Sequence, residues 1–148
     1  FDCGSRRRTI INKELLDINN RINSIESQIR KKNLSYKILE DKIWELHNLK
    51  NKKKLIISVT KIKFTNETFK NKIKLGNYKG IRYWDVSKVT DMSYLFPRPR
   101  HFDVDISLWN VSRVKNMRMM FNNAKNFDRN MIKDWNISNS TITDNIFG

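Results

Sequence analysis

Apolar residues recur along the first third of the chain at alternating spacings of three and four positions. No glycine or proline interrupts the series, whose members are Ile11, Leu15, Ile18, Ile22, Ile25, Ile29, Tyr36, Leu39, Ile43 and Leu46. This spacing places the apolar side chains on one face of a helix, as in a coiled coil. We therefore predict a basic heptad helix over residues 1–54.

The heptad has two core-facing positions, a and d, which together form the apolar seam. Isoleucine occupies both of them in the first half of this helix, which favours association of three or four helices. We accordingly expect a homo-oligomer formed through residues 10–50. Lys32 interrupts the apolar seam beside residues 33–35, so a turn at this point, giving a hairpin of two antiparallel helices, is an alternative. Packing against a different protein is a third interpretation.

The amino-acid composition changes after residue 54. Residues 55–64 are rich in isoleucine, valine and threonine and end by alternating apolar residues with lysines, which is typical of a half-buried strand. Thr65 then begins a pattern that predicts a short helix ending at Gly76. We interpret residues 55–83 as a strand plus a short helix that cap the element that follows.

That element is a repeat. The block at 84–96 recurs 25 residues later at 109–121, and 135–147 carries a partial third copy. Matching apolar positions are Val86, Val111 and Ile137; Val89 and Val114; Met92 and Met117; Leu95 and Met120; Phe96, Phe121 and Phe147. A fixed period of this length is typical of a solenoid, in which one unit stacks on the next. The tryptophan that opens each block is then better explained as part of a buried ladder than as a platform for sugars or bases.

The repeat resembles a known family. Trp-Asp-Val-Ser-Lys-Val-Thr-Asp-Met at 84–92 and Trp-Asn-Val-Ser-Arg-Val-Lys-Asn-Met at 109–117 are similar to the repeats of the BspA-like leucine-rich-repeat surface proteins. The resemblance covers roughly residues 65–148 and does not include the heptad helix. It implies a leucine-rich-repeat-like solenoid, adhesion to other proteins in surface members, and neither enzymatic activity nor a cofactor.

The predicted fold class is therefore α+β: a long N-terminal amphipathic, coiled-coil-like helix followed by a short leucine-rich-repeat-like solenoid. Its three segments are residues 1–54, residues 55–83 and the repeats at 84–148, of which two are full and one is partial. The resemblance implies a cell-surface or extracellular location, or a virion if the protein is viral.

The net charge of +15 adds a further class of partner. Residues 1–75 hold 19 basic and 8 acidic side chains, so most of the excess lies in the first half. Such a field attracts nucleic acid or anionic surfaces without sequence selectivity. The alternative is a composition rich in lysine and asparagine that fills solvated positions.

Patterns for catalysis or metal binding are missing from the sequence. Cys3 is the only cysteine, and the two histidines, His47 and His101, have no carboxylate or nucleophile at a known motif spacing. We expect no catalytic residue, no metal site, no cofactor and no membrane span.

We therefore predict a non-enzymatic protein–protein interaction or surface adhesion module, with a repeat solenoid presented by a helical oligomerisation segment. A structural component of a viral particle or surface layer is the alternative, and a nucleic-acid-binding basic protein is the third. The candidate partner-binding residues are those of the repeats that point away from the core: Lys88, Thr90, Asp91, Arg98, Arg100, Arg113, Lys115 and Asn116.

Overall fold

A computed structural model of the chain describes residues 3–31, 33–96, 104–122, 124 and 126–148. The described helices are α1 (Cys3–Arg30), α2 (Tyr36–Thr60) and α3 (Asn66–Lys74). Two short 3-10 turns lie at Ile81–Tyr83 and Arg129–Ile132. The repeats follow as coil 1 (84–96), coil 2 (109–121) and coil 3 (135–147), which together form the repeat block.

The heptad segment is helical, but it folds as a hairpin. α1 ends at Arg30, the chain turns through the residues that follow, and α2 packs against α1. Two ion pairs join the helices, Arg21 with Glu45 and Lys50 with Glu26, each at 2.7 Å. The hairpin alternative is thus the arrangement in the structure.

The seam isoleucines of α1 point into this chain. Ile11, Ile18, Ile22 and Ile25 are all buried in its own core. A coiled coil is therefore not confirmed, and self-association through residues 10–50 stays a prediction.

The strand that we predicted within residues 55–64 is wrong, because α2 continues to Thr60. Ile56 and Val59 lie three positions apart and are both buried, so they share one face of a helix. Packing of this face outweighs the strand preference of β-branched residues. The short helix is confirmed as α3, whose N-cap Thr65 exchanges hydrogen bonds with Thr68 in a capping box.

The predicted α+β class with a leucine-rich-repeat-like solenoid is also wrong. About half of the chain is helical, and the described residues contain no sheet. β-Pairing among the described residues is limited to isolated parallel bridges, which join Lys63 to Asp85, Asp91 to Asn116, and Asn116 to Ile142.

The coils turn too often to form strands. At each of several positions an Asp or Asn side chain accepts a hydrogen bond from the backbone N–H two residues later, and these acceptors are Asp85, Asp91, Asp105, Asn110 and Asn116. Such turns compete with ladder hydrogen bonds. A second bend follows where Tyr94, Met119 and Asn145, at equivalent positions of the three coils, take left-handed φ values of 51°, 52° and 51°.

The predicted inward positions of the repeats are nevertheless correct. Val89, Met92, Met117 and the other apolar residues of coils 1 and 2 at matching positions are buried. Phe121 stacks on Phe96 and on Phe147 with ring centroids 5.8 and 5.7 Å apart. The predicted tryptophan ladder is confirmed, because Trp84, Trp109 and Trp135 are buried and the last two stack nearly parallel.

α1 lies against the repeat block as well as against α2. Arg82 pairs with Glu14 of α1 at 3.0 Å and also with Asp105, which precedes coil 2. Arg6 reaches Asp134, immediately before coil 3. This arrangement leaves an open groove between the start of α1 and the first two coils.

Candidate functional site

The groove has a volume of about 670 Å³ and is strongly cationic. Its basic lining residues are Arg7, Arg8, Lys63, Lys88 and Arg113, and Asp85 is its one acidic lining residue among those described. We call this surface the basic groove. Amides and hydroxyls complete its polar lining, from Asn12, Thr60, Ser87, Asn110 and Ser112.

Equivalent residues of coils 1 and 2 form one wall of the basic groove. In coil 2, Asn110 accepts hydrogen bonds from the backbone N–H of Ser112 at 3.2 Å and from its hydroxyl at 2.7 Å. In coil 1, Asp85 accepts from the N–H of Ser87 at 3.1 Å. These turns fix the backbone just before Lys88 and Arg113, so the two cations project from stacked turns of the same kind.

Arg7 stands on the opposite wall and is only 8% exposed. Its Nη2 donates a 2.5 Å hydrogen bond to the carbonyl oxygen of Tyr83, while its buried Nε has no hydrogen-bond partner among the residues that the structure describes. Burial lowers the pKa of the Arg7 guanidinium and the Asp85 carboxylate acts in the opposite direction. An arginine remains protonated under such shifts, so Arg7 supplies a fixed positive charge.

The other basic side chains of the groove are accessible to a ligand. Lys63, Lys88 and Arg113 are exposed, and within the described ranges none of them forms an ion pair. Arg8 is likewise exposed, and its Nε donates a hydrogen bond of 3.4 Å to the carbonyl oxygen of Gly4. The basic groove therefore holds an excess of positive charge that the described carboxylates leave uncompensated.

The structure divides the predicted partner-binding residues into groups. Lys88 and Arg113 come together in the basic groove, and Lys115 is exposed outside it. Arg98 and Arg100 lie outside the described residues.

The remaining three predicted residues hold the coils together. The Thr90 carbonyl oxygen accepts from the N–H of Lys115 at 2.7 Å, and Asp91 pairs with Lys70 of α3 at 2.6 Å. Asn116 bridges coils 1 and 3. Their polar groups thus serve contacts within the fold, between coils for Thr90 and Asn116 and with α3 for Asp91.

Sequence reasoning missed Arg7, Arg8 and Lys63 as members of the site. Arg7 and Arg8 belong to the basic lead-in to α1, far from the repeats in sequence, and only the packing of α1 on the repeat block brings them there. The sequence signal for this groove was the basic residue that follows a serine four positions after Trp84 and Trp109, and it indicated Lys88 and Arg113 alone.

Other chemistry has no visible site among the residues that the structure describes. No group of three or more His, Cys, Asp or Glu side chains there is arranged to hold a metal ion. His47 bonds to Asn51 on the exposed surface of α2, 2.9 Å away. No helix in the described ranges is long and apolar enough to cross a membrane.

These features define a helical hairpin packed on short stacked repeats, with a cationic groove between them. The chain belongs to the family described as Mycoplasma protein of unknown function, DUF285, which matches residues 39–148. The family is also known as the BspA-like surface repeat family, so membership indicates a surface-associated protein of unknown function. No curated protein and no solved structure matches the chain.

The family match extends further than the resemblance that we predicted from the repeats. It begins at residue 39, within α2, whereas the repeat motifs suggested a start near residue 65. The second helix of the hairpin is therefore part of the family's domain.

Proposed function

We propose that this chain is a non-enzymatic binding module of a surface-associated protein, and that it takes up an acidic segment of a protein partner in the basic groove. The observation that carries the proposal is the charge of that groove, with five basic side chains and one carboxylate among its described lining residues. A protein segment bearing Asp or Glu complements this charge and gains charge-assisted hydrogen bonds.

The arrangement of the cations also supports a binding role. Arg7 is held by the Tyr83 carbonyl, and Lys88 and Arg113 rise from turns that their own coils fix. A groove whose donors are already positioned loses little conformational entropy when a partner binds. Asp85, Asp91 and Asp105 accept bonds from their own turns, which favours a structural use of these carboxylates over acid–base catalysis.

Fluorescence anisotropy with a labelled deca-glutamate peptide tests this proposal on the full chain. The groove variant Lys63→Gln/Lys88→Gln/Arg113→Gln should bind roughly tenfold more weakly, since about half a kcal/mol for each lost cation gives about 1.5 kcal/mol in total. The matched control Lys37→Gln/Lys79→Gln/Lys133→Gln loses the same charge at exposed positions outside the groove and should lose less than about threefold.

Equal losses in the two triple variants would mean that the peptide senses net charge alone, which would refute a site in the groove. A labelled single-stranded DNA decamer is the second probe. Tighter binding of the DNA than of the peptide, with the same dependence on the groove residues, would replace the protein partner with nucleic acid.

A further inference from the structure

A second groove, between α1 and α2, combines apolar and basic side chains. It measures about 600 Å³, and its lining includes Ile22, Ile57, Lys50, Lys53, Lys54 and Lys61. We call it the lysine groove. It adjoins the basic groove, since Thr60 lines one and Lys61 the other, but its composition differs because isoleucines lie between its lysines.

The apolar part of this surface continues along α2. Tyr36, Ile43, Lys50 and Ile57 follow each other at intervals of seven residues, so they lie along one side of the helix. Tyr36 is 80% exposed, Ile43 52% and Ile57 37%. The result is a stripe of exposed apolar side chains that runs the length of α2 and ends among lysines.

The charge at the lysine end of this surface has one sign. Residues 46–61 contain five lysines and no Asp or Glu. Lys50 pairs with Glu26 of α1 at 2.7 Å, whereas Lys53, Lys54 and Lys61 form no ion pair with any described carboxylate. Lysine stems are themselves apolar, so they extend the apolar surface while their ammonium groups reach outward.

We propose that the lysine groove and the stripe of α2 bind the surface of an anionic lipid bilayer. The lysines meet the anionic headgroups, and Ile57, Ile43 and Tyr36 enter the boundary between headgroups and acyl chains. A phosphodiester chain or a peptide of glutamates alone would use the lysines but gain nothing from the exposed isoleucines. An anionic bilayer uses both parts of this surface.

This inference goes beyond the proposed function, because it concerns a different surface and a different class of partner. It gives the chain a peripheral means of attachment and leaves the basic groove available for a protein. The two proposals can therefore be refuted independently of each other.

Co-sedimentation of the full chain with lipid vesicles tests the proposal. The vesicles are phosphatidylcholine alone, or two parts phosphatidylcholine to one part phosphatidylglycerol, and binding should require the anionic lipid. Lys53→Gln/Lys54→Gln/Lys61→Gln should lower the partition coefficient roughly 100-fold, because each lysine near an anionic surface contributes about a fivefold factor. The groove variant and the control triple variant described above should each lose less than about fivefold.

An uncharged pair of substitutions separates a bilayer from other polyanions. Ile43→Gln/Ile57→Gln should weaken vesicle binding about tenfold, since less apolar surface enters the interface, and should leave deca-glutamate binding unchanged. The matched control is Leu75→Gln/Ile142→Gln, which changes two exposed apolar residues elsewhere and should bind vesicles like the native chain. Equal vesicle binding by native chain and Ile43→Gln/Ile57→Gln would overturn the proposal, as would equal binding to the two kinds of vesicle.

Insertion can also be observed directly. In a Cys3→Ser background, an environment-sensitive fluorophore is attached through Ile43→Cys or, as the control, through Leu75→Cys. Anionic vesicles should shift the emission of the label at position 43 to the blue and leave that at position 75 unchanged. Unchanged emission at both positions would show that α2 does not enter the interface.

Discussion

The indole Nε1 of Trp109 donates a hydrogen bond of 2.8 Å to the carbonyl oxygen of Ile81, the residue that begins the turn before coil 1. Trp135 makes the corresponding bond to Ile106, one repeat later, at 3.3 Å. Trp109 and Trp135 thus fill the core with their rings and tie coils 2 and 3 to the turns that precede coils 1 and 2. This explains why tryptophan, rather than another large apolar residue, opens the second and third blocks.

Trp109→Phe should therefore destabilise the fold by about 1–2 kcal/mol, because the Ile81 carbonyl loses the indole donor and keeps only the N–H of Trp84, at 3.2 Å, while most of the apolar ring is kept. Urea denaturation followed by circular dichroism measures the change. Trp44→Phe is the control: Trp44 is 70% exposed on α2, and its substitution should cost less than about 0.5 kcal/mol. Similar losses in the two variants would contradict the role of the indole hydrogen bond.

Asn66, the first residue of α3, closes the edge of coil 1. Its Oδ1 accepts from the N–H of Thr90 at 2.8 Å and of Asp91 at 3.3 Å, and its Nδ2 donates to the Thr90 hydroxyl at 2.8 Å. Asn66→Ala should cost about 1–3 kcal/mol in the free energy of unfolding, since it leaves part-buried donors unpaired.

Asn66→Asp keeps the acceptor and loses only the bond to the hydroxyl, so its unfolding free energy should fall by roughly half as much. Asn71→Ala changes an exposed asparagine of the same helix and should be nearly neutral. A loss for Asn71→Ala as large as for Asn66→Ala would show that α3 is being weakened as a helix instead.

Tyr94 holds a left-handed backbone conformation, with φ of 51°, although its side chain is exposed. Glycine adopts this conformation without the clash at Cβ, so Tyr94→Gly should stabilise the chain by about 0.5–1 kcal/mol. Asn145 has the same φ at the equivalent position of coil 3, and asparagine tolerates it better than tyrosine. The thermal midpoint should therefore rise more for Tyr94→Gly than for Asn145→Gly, and a lower midpoint for Tyr94→Gly would refute backbone strain at this turn.

Asp105 gives the fold a dependence on pH. Burial by itself would raise the pKa of its carboxyl, but hydrogen bonds from Ser107 and the Arg82 guanidinium outweigh burial and hold that pKa below its ordinary value of 3.8. The stabilising contribution of Asp105 is therefore present above about pH 4 and is lost as the pH falls through the lowered pKa.

Because its side chain is 42% exposed, the contribution should be under about 1 kcal/mol. Asp105→Asn should accordingly be less stable than the native chain in urea at pH 7 and as stable as it near pH 2. A difference that persists unchanged at pH 2 would mean that the carboxylate charge is not its source.

The repeat period was enough to predict which side chains form the core. Val89, Met117 and Phe121 are buried as their matching positions required. The period did not determine the backbone between them. The same Asp, Asn and Ser residues that mark the repeat also fold it into turns, so β-pairing between the described coils is limited to single bridges. A strand needs several consecutive extended residues, and that continuity cannot be inferred from the positions of inward side chains.

Only part of the basic groove could be predicted from the sequence. Lys88 and Arg113 belong to the repeat and could be selected from it, since they occupy equivalent positions. Arg7 joins them from more than 70 residues away in the sequence. Nothing in its local sequence indicates that its guanidinium donates a hydrogen bond to the Tyr83 carbonyl oxygen. Contacts of this kind depend on where α1 packs. The hydrophobic pattern predicts that this segment is a helix, but it does not predict which part of the chain the helix packs against.

The position of α1 against the repeat block affects how the chain unfolds. Arrays in which each unit touches only its neighbours tend to fray from a free end, one unit at a time. Here a single helix reaches Tyr83, Arg82 and Asp134, which precede the first and the last coil. Opening the segment that leads into the last coil would also release a contact of the first helix, so we expect melting of the repeats to be coupled to melting of the hairpin.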